Sequence, residues 1–153
     1  TGSLSPVTGG PAAIVLTTAG HVISNNTFRG NDPGVFDQVC DPANHPSAAP
    51  NRFRRNAFAG NVDGIFYFAV DTEQCPAQVA DRIARNSFEA NSGFGVRWYP
   101  VDTAPSEIDA TCNWWGSADG PNAEGADRIT SGISATPWKV SPEFTPGVCS
   151  GGS

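Results

Sequence analysis

Methionine is absent from this 153-residue chain, lysine occurs once, at Lys139, and charged residues make up only 16%. With no methionine even at position 1 and no basic segment leading into an apolar one, the sequence reads as a processed chain or a fragment of one. A net charge of −6 and a pI near 4.6 argue against nucleic acid and against an anionic membrane surface as partners. The apolar run Ala12 to Leu16 is far too short to cross a bilayer, so no membrane insertion is expected. His21 and His45 are the only histidines, too few and too far apart to suggest a zinc or copper site. An apolar period of three and four residues, the mark of a surface helix, is also missing.

What is present points to strands. Seventeen glycines and thirteen prolines imply many turns joining short elements, and β-branched and aromatic residues dominate the segments between. A unit recurs. Asn26-Thr27-Phe28, Asn56-Ala57-Phe58 and Asn86-Ser87-Phe88 are followed by the divergent Asn113-Trp114-Trp115, with asparagines at intervals of 30, 30 and 27 residues. A period of that size over most of a chain signals a solenoid or array. Each copy opens on an apolar run (Ala12 to Leu16, Val35 to Val39, Ile65 to Val70, Val96 to Val101), most of them introduced by a glycine, Gly34, Gly64 or Gly95, which is expected to serve a corner that needs a permissive backbone. A connector of variable length follows, at 17–20, 40–50 and 71–80. A second strand is then read over 21–28, 51–58 and 81–88.

Equal spacing aligns like with like. Phe28, Phe58 and Phe88 occupy one register, Ile23, Phe53 and Ile83 another, and Asn31, Asn61 and Asn91 repeat the spacing of Asn26, Asn56 and Asn86. Parallel strands laid in register, about 4.8 Å apart, put phenylalanines inside. They place the asparagines at corners, where amide ladders satisfy turn backbone groups. Four cysteines without CxxC spacing suit two disulfides and an extracellular setting.

The N-x-F and N-x-x-G repeats, closed by Cys112-Asn113-Trp114-Trp115-Gly116 with Asp119-Gly120-Pro121 after it, resemble the right-handed parallel β-helix repeat proteins of the pectin-lyase-like superfamily found on microbial surfaces. The resemblance implies an all-β chain: a short right-handed parallel β-helix of about four rungs over 12–122, an N-terminal tail or cap at 1–11, and a C-terminal capping tail at 123–153. On that picture Cys40 pairs with Cys75 in successive connectors, and Cys112 with Cys149. The second bridge ties back a tail in which Trp138 and Phe144 cover apolar surface. Trp115 joins the ring stack and Asn113 the asparagine column.

Relatives on this fold that cleave polysaccharides use clustered carboxylates, often with calcium, so Asp63, Asp71, Asp81, Asp102 and Asp109 are the acids to inspect. Asp residues are common in turns for conformational reasons, and no catalytic residue is assigned. Calcium has hard oxygen ligands on offer at Asp119, Asn122, Glu124 and Asp127, without EF-hand spacing; no cofactor is otherwise expected. Arg52 with Arg82, and Arg55 with Arg85, share registers. They read either as a contact for an anionic glycan or as solvated charges offset by Glu89 and Asp81. Trp114, Trp115, Phe66, Tyr67, Phe68, Trp98 and Tyr99 are aromatic candidates for stacking on sugars or for filling the core. Open β-helix ends expose unpaired strand edges. The leading expectation is therefore a non-enzymatic, secreted structural module that self-associates, as a filament or surface-layer subunit, through Ala12, Ile14, Leu16, Trp138 and Phe144. A glycan-binding adhesion module is the second reading, and a polysaccharide lyase or hydrolase the third.

Overall fold

A computed structural model describes residues 11–39, 50–69, 81–100, 108–142 and Cys149. Among these the secondary structure is strand only: β1 (Ile14–Leu16), β2 (Val22–Ser24), β3 (Thr27–Arg29), β4 (Val35–Val39), β5 (Arg52–Arg54), β6 (Ala57–Ala59), β7 (Asp63–Ala69), β8 (Arg82–Ala84), β9 (Ser87–Glu89), β10 (Phe94–Tyr99), β11 (Ile108–Asp109) and β12 (Ile133–Ser134). No described helix is long and apolar enough to cross a membrane. Cys40 and Cys75, the proposed first disulfide, and Phe144 lie outside the described residues.

Every strand pairing is parallel. The first sheet runs β1-β4-β7-β10, the second β12-β11-β8-β5-β2 and the third β3-β6-β9. Copies of the repeat therefore contribute one strand to each sheet and lie on each other in register: Ile23 faces Phe53 and Phe53 faces Ile83, while Phe28 faces Phe58 and Phe58 faces Phe88.

The stretches 21–28, 51–58 and 81–88, read from sequence as one strand each, are two. Asn25, Arg55 and Arg85 break them, with φ of 60°, 55° and 61°. A left-handed residue turns the chain sharply, and the asparagine that follows begins a new sheet. A second corner falls at Gly30, Gly60 and Ala90, with φ of 68°, 64° and 56°. At Gly60 an added Cβ would meet nothing within 4 Å, so glycine is favoured there by conformation alone. Ala90 is exposed in the equivalent place. Replacing Ala90 by glycine is expected to stabilise the fold by about 0.5–1 kcal/mol, because relief of left-handed strain outweighs the added freedom of the unfolded chain. Urea denaturation of A90G checks this; a lower midpoint than wild type would reject it.

The glycines that open the first-sheet strands have a different reason from the one expected. Gly34, Gly64 and Gly95 do not adopt positive φ. A Cβ on Gly34 would lie 2.7 Å from the Gly64 carbonyl oxygen and 3.2 Å from the Phe58 ring, and on Gly64 2.5 Å from the Gly95 oxygen and 2.9 Å from Phe88. These positions are kept bare so that the phenylalanine column can press against the backbone.

That column forms the centre of the core. Phe28, Phe58, Phe88 and Trp115 stack with centroid separations of 4.8, 4.9 and 4.7 Å and interplanar angles of 9°, 4° and 12°. Around it pack Ile23, Phe53, Ile83, Val35, Ile65, Val96 and Trp98, all buried. Parallel rings at this spacing add about 0.5–1.5 kcal/mol per pair beyond their buried area. The C-terminal segment closes one end: β12 pairs with β11, Lys139 N donates to Asn113 O at 2.9 Å and Cys112 N to Pro137 O at 2.7 Å. Trp138 lies against Gly120. The Cys112–Cys149 disulfide fastens this segment, with Cα atoms 5.2 Å apart.

Candidate functional site

Corners made by left-handed residues leave backbone groups that the strands do not pair, and the asparagines supply them. In the first column Asn26 N and Nδ2 both donate to Asn56 Oδ1 (3.0 and 3.3 Å), Asn56 repeats the pair onto Asn86 Oδ1 (2.9 and 3.0 Å), and Asn86 onto Asn113 Oδ1 (2.8 and 3.0 Å). Each inner amide also donates to a carbonyl of the copy below: Asn56 to Ile23 O, Asn86 to Phe53 O, Asn113 to Ile83 O. Asn31, Asn61 and Asn91 form the second column in the same manner, at 3.0 and 3.1 Å and then 2.9 and 3.0 Å. This column ends on Asp127, which accepts from Asn91 N at 3.1 Å and from Asn91 Nδ2. Burial pushes the Asp127 carboxyl up to about 6, against the opposing hydrogen bonds from Asn91.

A third column was not recognised in the sequence. His21 N donates to Asn51 Oδ1 and Asn51 N to Asp81 Oδ1, each at 2.8 Å. Its members differ in type, so no repeated letter marks it. It leads into an interior cluster: Asn51 Nδ2 donates to Asp37 Oδ2 at 2.9 Å, and the Tyr67 hydroxyl to Asp81 Oδ2 at 3.1 Å. Asp37, Tyr67, Asn51 and Asp81 are at most 2% exposed.

The outer face of the second sheet carries the arginines. Arg52 and Arg82 are direct register partners and Arg54 lies two residues along; Arg55 and Arg85 occupy the left-handed corner. All five are exposed. Pro50, Arg52, Arg54, Arg82, Ala84 and Arg85 line a groove of about 410 Å³. The acids named from sequence as their counterions are engaged elsewhere. Glu89 accepts from Trp114 Nε1 at 2.7 Å and Ser87 Oγ at 3.1 Å, and Asp81 is interior. Of these five, only Arg82 has an ion-pair partner among the described residues, Asp109 at 3.8 Å. An exposed pair of that length contributes little.

The aromatic candidates divide by strand alternation. Tyr67 and Trp98 point inward and are fully buried, and Trp115 caps the ring stack. Phe36, Phe66, Phe68 and Tyr99 pack on one another across the first sheet's outer face at 5.6–6.3 Å, Phe66 edge-on to Phe36 and Phe68 and the other pairs stacked, with Arg97 lying 5.0 Å over Phe66.

Of the acids weighed as catalytic, the three described ones, Asp63, Asp81 and Asp109, have separate partners. Asp71 and Asp102 lie outside the described residues. Asp63 accepts from Arg97 Nη1 at 3.3 Å and from Phe94 N at 2.9 Å; burial raises its carboxyl although Arg97 opposes the shift. Asp81 is interior and Asp109 exposed on the second sheet. For calcium, Asp127 is committed to Asn91, and Asn122 Oδ1 accepts from Ile129 N at 3.0 Å. Among the described residues no three acidic, histidine or cysteine side chains converge on a metal position. Of the residues expected to associate with another chain, Leu16 points inward, Ala12 and Ile14 are half-buried, and Trp138 donates to Ala118 O at 3.1 Å within the cap. The exposed apolar residues of that first copy are Val15 and Val22.

Comparison with protein-family models, curated proteins and solved structures finds no match to this chain.

Proposed function

We propose that this chain is a non-enzymatic, extracellular module, a short parallel β-helix whose second-sheet flank binds an acidic polysaccharide. The observation that carries the proposal is the arginine cluster, five exposed arginines on one flank of a chain of net charge −6, of which only Arg82 has an acidic partner among the described residues. Arg52 and Arg82 repeat at the strand spacing of about 4.8 Å, so like charges repel on neighbouring copies. Arg55 and Arg85 hold a left-handed conformation that glycine or asparagine would adopt at lower cost. Neither feature helps the fold. Both make sense for a flank whose guanidinium forks receive a row of carboxylates or sulfates. Among the described residues the groove is lined by arginines and small side chains with no paired acid and base, which favours holding a polymer over cleaving it. The cystine at Cys112–Cys149 accords with an oxidising setting.

Binding is measured by calorimetry at low ionic strength with heparin, polygalacturonate, a neutral glucan and duplex DNA. Heparin or polygalacturonate is expected to bind and the neutral glucan not. The double substitution Arg54→Ser with Arg85→Ser is expected to weaken affinity by roughly tenfold or more, the equivalent of about 1.4 kcal/mol, with unchanged thermal stability. Equal binding of the variant, or no binding of either acidic polymer, overturns the proposal; preference for DNA replaces the polymer class.

Self-association is a second reading, favoured by one observation. The amide columns begin at Asn26 and Asn31, beside the outermost strands β1, β2 and β3, whose outer edges pair with no strand among the described residues and are templates for another strand. At the other end Asn113 and Asp127 are occupied by the chain's own C-terminal segment. The first-copy end is therefore the one this reading assigns to assembly, and sedimentation of the intact protein over a concentration series tests it.

A further inference from the structure

The interior carboxyls Asp37 and Asp81 serve neither the groove nor the asparagine columns. Asp37 sits on β4 in an inward column that runs Leu16, Asp37, Tyr67, Trp98 through the first sheet. Asp81 precedes β8 at the neighbouring corner, and Asn51 joins the two carboxyls, its Nδ2 donating to Asp37 Oδ2 at 2.9 Å and its N to Asp81 Oδ1 at 2.8 Å. Asp37 is 0% and Asp81 2% exposed.

We infer that Asp37 and Asp81 share one proton in the folded chain, and that loss of this proton as pH rises weakens the stack, making it a module built for acid. Two adjacent carboxylates in a dry site repel and lose hydration together, so both do not ionise in the fold. The orphaned atom fits this. Asp37 Oδ1 is buried and has no partner as an acceptor; a proton on it gives a donor for Asp81. Asp81 is the better anion, since Asn51 N and the Tyr67 hydroxyl both donate to it.

Among the described residues no cation faces the pair. Tyr67 faces it from β7 and is held neutral by burial. Trp98 stacks on Tyr67 at 5.8 Å and Leu16 lies below. His21 meets Asn51 through its backbone and turns its ring to Thr18 Oγ1 at 2.7 Å. Arg52 and Arg82 point outward, and Asp109 turns to Arg82. Burial, then the neighbouring Asp81, raises the Asp37 carboxyl well above the usual range, and burial brings Asp81 up to about 6. The folded chain thus keeps a proton that the unfolded chain releases near pH 4. Stability falls as pH rises from about 4 through 6 and beyond, each retained proton contributing roughly tenfold per pH unit to the unfolding constant.

The test is urea denaturation of wild type and D37N from pH 4 to 8. Asparagine keeps the size and presents a permanent N–H donor to Asp81. Wild type is expected to lose stability across this range, and D37N to lose roughly tenfold less per pH unit and to exceed wild type at pH 8. Asp63 and Asp127 remain in both proteins, so the difference between them isolates the pair. Equal slopes, or a wild type that gains stability from pH 5 to 8, overturn the inference. If D37N does not fold, infrared spectra of wild type decide: a neutral carboxylic acid band persisting at pH 7 supports the shared proton, and its absence refutes it.

Discussion

Phe58→Ala is expected to cost about 4 kcal/mol of folding free energy, near the upper range for a buried aromatic. Phe58 is fully buried and is flanked on both faces, by Phe28 at 4.8 Å and Phe88 at 4.9 Å. Removing it opens a slot one ring thick that neither neighbour can enter, because each is fixed by its own strand pairing. Gly34 also rests against this ring, so the backbone of the adjacent sheet loses its contact. Phe28→Ala provides the comparison: that ring is stacked on one face only and is 5% exposed, and its loss should cost about half as much. Urea denaturation of the two variants measures both. A cost below about 1 kcal/mol for F58A, the size of an exposed substitution, would show that the rings do not carry the core.

Asn86→Leu is expected to be nearly as damaging despite preserving volume and adding apolar surface. The leucine leaves Asn56 N and Nδ2 without their acceptor and takes one donor each from Phe53 O and Asn113 Oδ1, the latter keeping the backbone N of residue 86. Each buried group stranded in this way costs about 1–3 kcal/mol, so a total on the order of 4 kcal/mol follows. Asn26→Leu removes an exposed member at the foot of the same column, where water replaces the lost partner, and is expected to cost about 1 kcal/mol. Amide hydrogen exchange at Asn56 should accelerate in N86L. Equal destabilisation by the two substitutions would argue against the ladder as the source of the effect.

The parts of the fold visible in the sequence are those in which one residue type suits every layer. Phenylalanine fits between phenylalanines, and asparagine alone both accepts from one copy and donates to the next, so both recur at a fixed interval. Where a column changes chemistry, the interval carries no signal. Asp37 faces Leu16 on one side and Tyr67 on the other, and Asn51 lies between His21 and Asp81, so the interior acids stayed hidden. The split of the second strand was also concealed, because arginine at 55 and 85 is an unusual choice for a left-handed corner. The register of the arginines was legible, but the fate of their expected counterions was not. Glu89 turned to Trp114 and Asp81 turned inward, which depends on side-chain direction. Likewise Gly34, Gly64 and Gly95 were visible as a set, while their cause, the close passage of the next copy's backbone and of a ring, is a three-dimensional fact.

The second amide column has a polarity with a built-in full stop. Asn61 and Asn91 take hydrogens from the copy before and hand their own to the copy after, an operation that could be repeated with each further asparagine. An aspartate can take but has nothing to hand on. By setting Asp127 where the next amide would stand, the chain ends the relay with a residue that satisfies the last donor and cannot address another. The side-chain relay of this column therefore stops at Asp127.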